Sequence, residues 1–523
     1  MTDRQPDRTR RRVTAAASGV LAAGAMFGVA HLGAALLDPP ASPFSSLGDT
    51  FIDLTPEWLK ELAISWFGTN DKRALLVGMV MVIVIAAAGL GILALRRLRV
   101  AQGLVLALGL VTGAAATSRP QTGSLALLPS LIGAALGALA LGWLAVRIPA
   151  GAGSDPQPGP APQAPPREQS RRSFLGAAAA TGVVAVLGAV VGTLAAGARS
   201  TAAAVRTLVL PKAGTPAPPV PADAQSPVPG VVDVVTPNRT FYRIDTAFAV
   251  PQVFPDAWQL RVHGMVDREV TLTFDDLLSA DLVEAYVTLT CVSNPIGGDL
   301  AGNARWLGLP VRQVLAQAGP RGDADMVLSR SADGFTASTP LEALTDDRAA
   351  LLAIGMNGSP LPAEHGFPVR MVVPGLYGYV SATKWLVDLE VTRFADAQAY
   401  WTVRGWAPRG PVKTASRIEV PRQGASVPAG TVAVGGTAWA QHTGIAKVEV
   451  QVDDGPWHEA VLAGEISIDT WRQWSWRWEG ATSGQHTLRV RATDADGVTQ
   501  PGTPSAPFPS GATGWDEVTV RVG

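Results

Sequence analysis

Apolar positions follow two regimes along this chain. As far as about Gly197 they run in long unbroken stretches, and from Val231 onward they alternate with polar residues or recur in short groups. The first regime holds runs at 13–37, 74–95, 100–117 and 124–146, then a fifth over 173–197. Each is long enough to cross a hydrocarbon core of ~30 Å at ~1.5 Å per residue, so the pattern predicts five helical spans. In the second regime Val287 and Leu289 alternate with Thr288 and Thr290, which reads as a strand ending at Cys291 and the turn residues Asn294-Pro295 and Gly297-Gly298. Thr273-Phe274-Asp275-Asp276-Leu277-Leu278 reads as a short capped helix. Further on, Val448, Val450 and Val452, then Leu488, Val490 and Ala492, then Val518, Val520 and Val522 mark short strands. Turns at Asp454-Gly455 and Asp496-Gly497 separate them, a pattern that predicts an immunoglobulin-like sandwich over 409–523.

Flanking charge orients the first half. Arg10-Arg11-Arg12 precedes the first run, Arg96, Arg97 and Arg99 separate the second from the third, and Arg147 follows the fourth. The loop from Asp38 to Arg73 is acidic instead. By the positive-inside rule the N-terminus is cytoplasmic and that loop lies outside. Within it Thr55-Pro56-Glu57 reads as a helix start, and Trp58, Leu62 and Trp66 as the apolar face of an interfacial helix. His31 falls inside the first run with no second histidine in the others, so it reads as a packed or hydrogen-bonded helix histidine rather than a haem ligand. The Pro/Gly/Ala-rich stretch 149–172 follows the four-span region 1–148 as a flexible cytoplasmic linker. Its end, Ser170-Arg171-Arg172-Ser173-Phe174-Leu175, is either a basic flank or a twin-arginine export signal, which carries folded proteins across a membrane. The fifth span then places everything after it outside. These readings predict a multi-pass protein of a bacterial cell membrane with an extracytoplasmic C-terminal half.

Composition sharpens this. Only 16% of the residues are charged and mean hydropathy is +0.20, against roughly 25% charged in ordinary soluble domains. A net charge of −1 leaves no basic footprint for nucleic acid. Six scattered histidines with no Cys-x-x-Cys-His supply neither a covalent haem site nor a zinc ribbon. The single cysteine, Cys291, permits no intrachain disulfide. Alone it reads either as a small buried hydrophobe or as a thiol placed at a strand edge for a ligand.

The residues around it favour the second. Phe241-Tyr242-Arg243-Ile244-Asp245-Thr246 and the Cys291 strand are followed by Ala304-Arg305-Trp306-Leu307-Gly308-Leu309-Pro310 and Gly355-Met356-Asn357-Gly358-Ser359-Pro360. Then come His365-Gly366-Phe367-Pro368-Val369-Arg370 and Pro374-Gly375-Leu376-Tyr377-Gly378-Tyr379-Val380-Ser381-Ala382-Thr383-Lys384-Trp385. In order and spacing they resemble the molybdopterin domain of the sulfite oxidase family. The whole reads as a multi-domain protein: the apolar runs give a five-span α-helical membrane region and the Pro/Ala/Thr-rich composition a stalk at 198–230, while the resemblance implies an α+β molybdopterin domain at 231–408 and a dimerisation-type sandwich at 409–523. The resemblance also implies a molybdenum–molybdopterin cofactor with Cys291 as the metal ligand, a role for which a soft thiolate is suited. His365 and Arg370 would bind the pterin. Ser381, Ala382, Thr383 and Lys384 match the phosphate-binding segment, Arg243, Asp245 and Thr246 the first cofactor loop, and Ser331 a further contact.

The departures matter as much. After Cys291 the chain reads Ser293-Asn294-Pro295-Ile296, without the family's anion-gripping arginine. A second family arginine is replaced within Tyr379-Val380-Ser381, and the active-site tyrosine aligns with Trp406. Arg243, Arg404 and Trp406 therefore stand beside Cys291 as catalytic candidates, with Arg472 or Arg477 as a sandwich contribution. The expected function is oxygen-atom transfer on a small oxo-acceptor or oxo-donor, in a monomer or homodimer. With no haem or iron–sulfur motif in the chain, electrons pass to or from a separate electron-transfer protein. A sulfite-type oxidase and a reductase of sulfoxides, N-oxides or nitrate both remain open. A cofactor-free membrane-anchored binding module is the alternative from another class.

Overall fold

The computed structural model describes residues 5–56, 59, 66, 71–119, 122–148, 167–198 and 200–523. Most of the expected linker, and most of the interfacial helix expected around Trp58, Leu62 and Trp66, lie outside the described residues. The chain divides into two compact units, Met1–Ala203 with Thr246–Gln252, and Ala204–Asp245 with Val253–Gly523.

The first unit is helical: α1 (Gln5–Leu37), α2 (Pro43–Leu54), α3 (Asp71–Thr117), α4 (Leu127–Ala145) and α5 (Arg167–Ala198). Four described helices are long and apolar enough to cross a membrane. They hold five apolar segments, because α3 breaks at Arg97 (φ −141°, ψ 62°) among the arginines expected to separate two spans. Its halves run in opposite directions. Gly91 and Ala87 of the first half meet Ala15 and Gly19 of α1. Just beyond the second half, Arg119 donates to Thr50 Oγ1 (2.7 Å) and Gly123 N to Asp38 Oδ2 (2.7 Å), past the far end of α1. Small residues make these approaches: Gly133 of α4 faces Met26 and Ala30, and Gly188 of α5 faces Gly28, the close backbone contact that apolar helices use when no hydrophobic force drives them together. His31 is hydrogen-bonded as expected, to Ser42 Oγ (3.2 Å) and Thr193 Oγ1 (3.5 Å). Thr55 closes α2, which Pro43 opens after Ser42, and of the helix expected to start there Leu59 and Trp66 are described and both are helical.

The segment Thr246–Gln252 also belongs to this unit. Phe248 N donates to Asp49 Oδ1 (2.8 Å), its ring covers Gly48, and Gln252 Oε1 accepts from Thr201 N (2.9 Å). The expected domain at 231–408 is therefore interrupted.

In the second unit one sheet has the order β2-β1-β10-β5-β6, from β1 (Gln259–Gly264), β2 (Val270–Thr273), β5 (Met326–Ser331), β6 (Thr336–Pro340) and β10 (Leu386–Thr392). Only β1 and β10 are parallel. The other sheet has the order β3-β4-β7-β8, from β3 (Val283–Thr290), β4 (Ala301–Pro310), β7 (Leu351–Met356) and β8 (Ser359–Pro360), with β9 (Arg370–Val372) also on β7. Leu260, Val262, Leu389 and Val391 fill one apolar core; Val287, Leu289, Trp306 and Phe367 fill another. The expected capped helix is present at Phe274–Leu278, with Thr273 and Asp276 capping each other. Beyond it lie two sheets of an antiparallel-dominated sandwich around Val434, Val448, Val450, Trp474 and Leu488, the arrangement the alternating valines predict.

The stalk reading of 198–230 is corrected. Leu208, Leu210 and Ala213 pack on the apolar core around Leu260 and Leu389, Glu284 N donates to Thr215 O (2.8 Å), and Ser226 N donates to Gln473 Oε1 (2.6 Å). A proline-rich segment has few backbone donors, and here Gly214 N and Thr215 N donate to Leu282 O and Ala217 N to Glu284 Oε2.

Candidate active site

Three loops bring the cationic residues together. Gly366 makes this possible: it has φ +112°, and a Cβ there would lie 3.0 Å from Arg370 Cβ and 3.1 Å from Lys384 Cβ. Arg370 opens β9, and Lys384 precedes Trp385, which is itself held in the left-handed region (φ 50°). Trp385 Nε1 donates to Ala363 O (2.9 Å), pulling the two loops together.

Arg370 is 5% exposed, yet its guanidinium donates only to the carbonyls of His365 (3.1 Å), Ala382 (3.3 Å) and Met371 (3.3 Å), above the Trp306 ring. No carboxylate among the described residues pairs with it, and burial lowers its pKa to about 10. Lys384 Nζ donates to Asp245 Oδ2 (2.9 Å) and Glu364 O (3.1 Å); burial lowers it to about 8 despite Asp245. Asp245 Oδ2 also accepts from Arg243 Nε (2.9 Å), so one carboxylate serves two cations. His365 Nε2 lies 3.1 Å from Asn238 O; a carbonyl only accepts, so Nε2 carries the proton and Nδ1 is left as an acceptor. Burial, with Arg370 and Lys384 adding to it, lowers His365 to about 4, so it is neutral at pH 7. Ser331 lies on the same side, its Oγ accepting from Asp333 N (3.5 Å), while burial raises the Asp333 carboxyl.

The pocket therefore carries an excess of buried positive charge. Buried cations without partners cost several kcal/mol each, so this is a site built for an anion.

Cys291 stands at the end of β3, 8% exposed, its N–H donating to Leu300 O (2.9 Å). Burial raises its thiol, opposed by hydrogen bonds from the Ser293 backbone and side chain. The Tyr242 and Tyr377 phenols lie within electrostatic reach of it, and Tyr242 is in reach of Arg370 as well. Tyr242 was not singled out as a site residue although it lies in a motif already quoted; its ring stacks on Phe241, which packs against Trp306 and His365.

The other expected residues divide. Ser381 and Thr383 are fully buried with hydroxyls turned inward, to Leu376 O and Tyr377 O (3.2 and 3.0 Å) and to Ser329 Oγ (2.7 Å). Of that segment, Ala382 offers its carbonyl to Arg370 and Lys384 its charge. Thr246 falls in the first unit. Trp406 and Arg404 join an aromatic cluster: Trp406 packs edge-on against Trp401 and Phe508 and beside Tyr379, and the Arg404 guanidinium lies 3.6 Å over Tyr400. Arg472 and Arg477 are corrected. Arg472 donates to the carbonyls of Ala463 and Ile445, and Arg477 is an exposed partner of Glu479, so both serve the sandwich.

A soft thiolate donor, an anion-demanding cationic pocket and a neutral imidazole acceptor fit a metal–pterin group carrying a phosphate. The comparisons agree with that class: residues 247–401 match the oxidoreductase molybdopterin binding domain, and residues 416–490 match a bacterial Ig domain. The chain is 32% identical over 286 residues to mitochondrial sulfite oxidase of Mus musculus, covering 46% of this chain and 52% of that protein. It is 33% identical over 153 residues to the uncharacterized oxidoreductase YuiH of Bacillus subtilis (29% and 74% covered). It is also 32% identical over 212 residues to the protein-methionine-sulfoxide reductase catalytic subunit MsrP of Ralstonia nicotianae (36% and 61% covered). The chain belongs to the sulfite oxidase family of molybdopterin oxidoreductases. It spans about half the length of the mitochondrial sulfite oxidases it matches.

Proposed function

We propose that this protein is a membrane-anchored molybdenum oxidoreductase that moves an oxygen atom to or from a small substrate and exchanges electrons with a separate redox protein. The observation that carries this is the buried Arg370 guanidinium, whose partners are backbone carbonyls, beside Lys384, which shares the Asp245 carboxylate with Arg243. When bound, the molybdenum–pterin group supplies two-electron oxygen-atom chemistry. Cys291 would hold the metal through its thiolate. Arg370 and Lys384 would hold the anionic part of the pterin, Asp245 keeps Lys384 and Arg243 oriented, and His365 Nδ1 would be free to accept from a ring donor. The apolar packing around Phe241, Trp306 and Phe367 keeps water from this side of the pocket. The catalytic half is assigned to the extracytoplasmic side, reached folded by the twin-arginine route, because the arginine-flanked spans return the chain to the cytoplasm ahead of Arg171-Arg172.

A second reading of the substrate draws on what surrounds Cys291. The groups acting on the thiol are Ser293 and two phenols, and Asn294, in the loop where the family carries an arginine, has its Oδ1 accepting from Leu300 N (2.9 Å). One charge-assisted hydrogen bond contributes about 1.5–3 kcal/mol. A site lacking two such arginines suits a neutral oxo-donor, such as a sulfoxide, better than a sulfite dianion.

Metal analysis of the purified full chain tests the main reading. It should hold about one molybdenum, and Cys291→Ser should lower activity by more than ~100-fold. A serine variant with full activity would sink the assignment. Assays with sulfite and an artificial acceptor, and with sulfoxides and an artificial donor, decide the direction.

A further inference from the structure

The strand that delivers Cys291 is an edge strand. On one side β3 pairs with β4; its other edge has no partner in its own sheet. An open edge leaves a row of backbone groups to be satisfied. The first turn of that edge is closed by Thr215, where Glu284 N donates to Thr215 O. The last turn, next to the cysteine, is closed by the C-terminal sandwich. Thr288 N donates to Asp469 O (3.0 Å), and Trp471 N donates to Thr288 Oγ1 (2.8 Å). Gln441, 4% exposed, donates through a single Nε2 to both Thr290 Oγ1 (2.7 Å) and Thr288 O (3.3 Å). Beyond the cysteine, Arg417 Nη1 donates to Gly298 O (2.8 Å). Arg417 is itself fixed by Glu419 (2.7 Å) in a buried pair.

Cys291 is thus gripped on both flanks by a domain that contributes no group to the cationic pocket. We infer that the sandwich is the outer shell of the metal centre and that Gln441 is a positioning residue for Cys291, holding Thr290 and with it the direction of the thiolate. This rests on Cys291 being the metal ligand, as proposed above. Groups that hydrogen-bond around a metal ligand fix its orientation and so tune what the metal does. A residue acting only as domain glue would change stability and leave the metal's electronic signature alone.

The experiment compares the full-length holoenzyme with Gln441→Met, with Thr290→Val, which breaks the same bond from the other side, and with Ser416→Ala. The last removes a buried hydrogen bond inside the sandwich, from Ser416 Oγ to Gln500 Oε1 (2.7 Å). Molybdenum content, EPR g-values of the partly reduced metal, kcat and KM are measured for each. Gln441→Met and Thr290→Val are expected to keep their molybdenum, shift the EPR g-values in the same sense, and lower kcat by roughly 10–100-fold with little change in KM. Ser416→Ala is expected to keep the parent spectrum. If Gln441→Met fails to fold, Thr290→Val decides. Parent g-values in Thr290→Val with normal metal content would overturn the role of Gln441 alone. Absence of molybdenum from the unsubstituted chain would overturn the ligand assignment and this inference with it.

Discussion

At the scale of residues, the site holds charge that the protein itself does not neutralise. Arg370 donates only to backbone carbonyls, and Lys384 shares its one carboxylate with Arg243. Replacing a buried charge by an apolar side chain of similar volume is often neutral or stabilising by about 1–4 kcal/mol. Arg370→Met should therefore raise the melting temperature of cofactor-free chain while molybdenum content falls, a combination that calorimetry and metal analysis can show together. The lysine makes a pH prediction. Its folded pKa, about 8, lies below the ordinary lysine value of 10.5, so the unfolded chain holds more protons between those values. Cofactor-free protein should gain stability as pH rises through that window. An anionic ligand favours protonated Lys384, so cofactor retention should weaken over the same interval. A retention profile flat from pH 7 to about 10 would remove Lys384 from the binding assignment.

At the scale of elements, close backbone approach decides both units. Around α1, glycines at 19, 28 and 133 sit where a side chain would strike the neighbouring helix backbone. Gly19→Val should push α3 from α1 and cost about 1–3 kcal/mol, read as a lower unfolding midpoint in detergent, whereas Gly78→Ala, with nothing within 4 Å, should be silent. The alternation of Val287 and Leu289 with Thr288 and Thr290 was enough to predict β3 and its end at Cys291. It carried no information on which groups close the strand's free edge, because Gln441 and Asp469 are more than a hundred residues away. The proline-rich stretch after Ala204 resembled a tether for a local reason: such composition has few backbone donors and little hydrophobic periodicity. The packing of Val220 and Ala224 in one cluster with Trp471, and the bond from Ser226 N to Gln473, depend on strands far along the chain.

At the scale of the whole molecule, the proposal places a helical membrane unit and an extracytoplasmic catalytic unit in one chain. Arg171→Lys combined with Arg172→Lys should leave residues 204–523 on the cytoplasmic side, which protease protection in spheroplasts measures; unaltered surface exposure would exclude the twin-arginine route. The long apolar runs, the arginines that punctuate them, the alternating strands and the motif set around Cys291 were all legible from residue order. Each is a short-range pattern whose physical meaning, a long apolar helix or a strand with one buried face, does not depend on what lies opposite. What the tertiary structure alone decided is which distant groups converge. It showed that Gly366 lets Arg370 and Lys384 crowd together, that Ser381 and Thr383 turn inward, and that the sandwich closes the edge of the cysteine strand. These are outcomes of packing, settled by which buried polar groups find partners once the whole chain has folded.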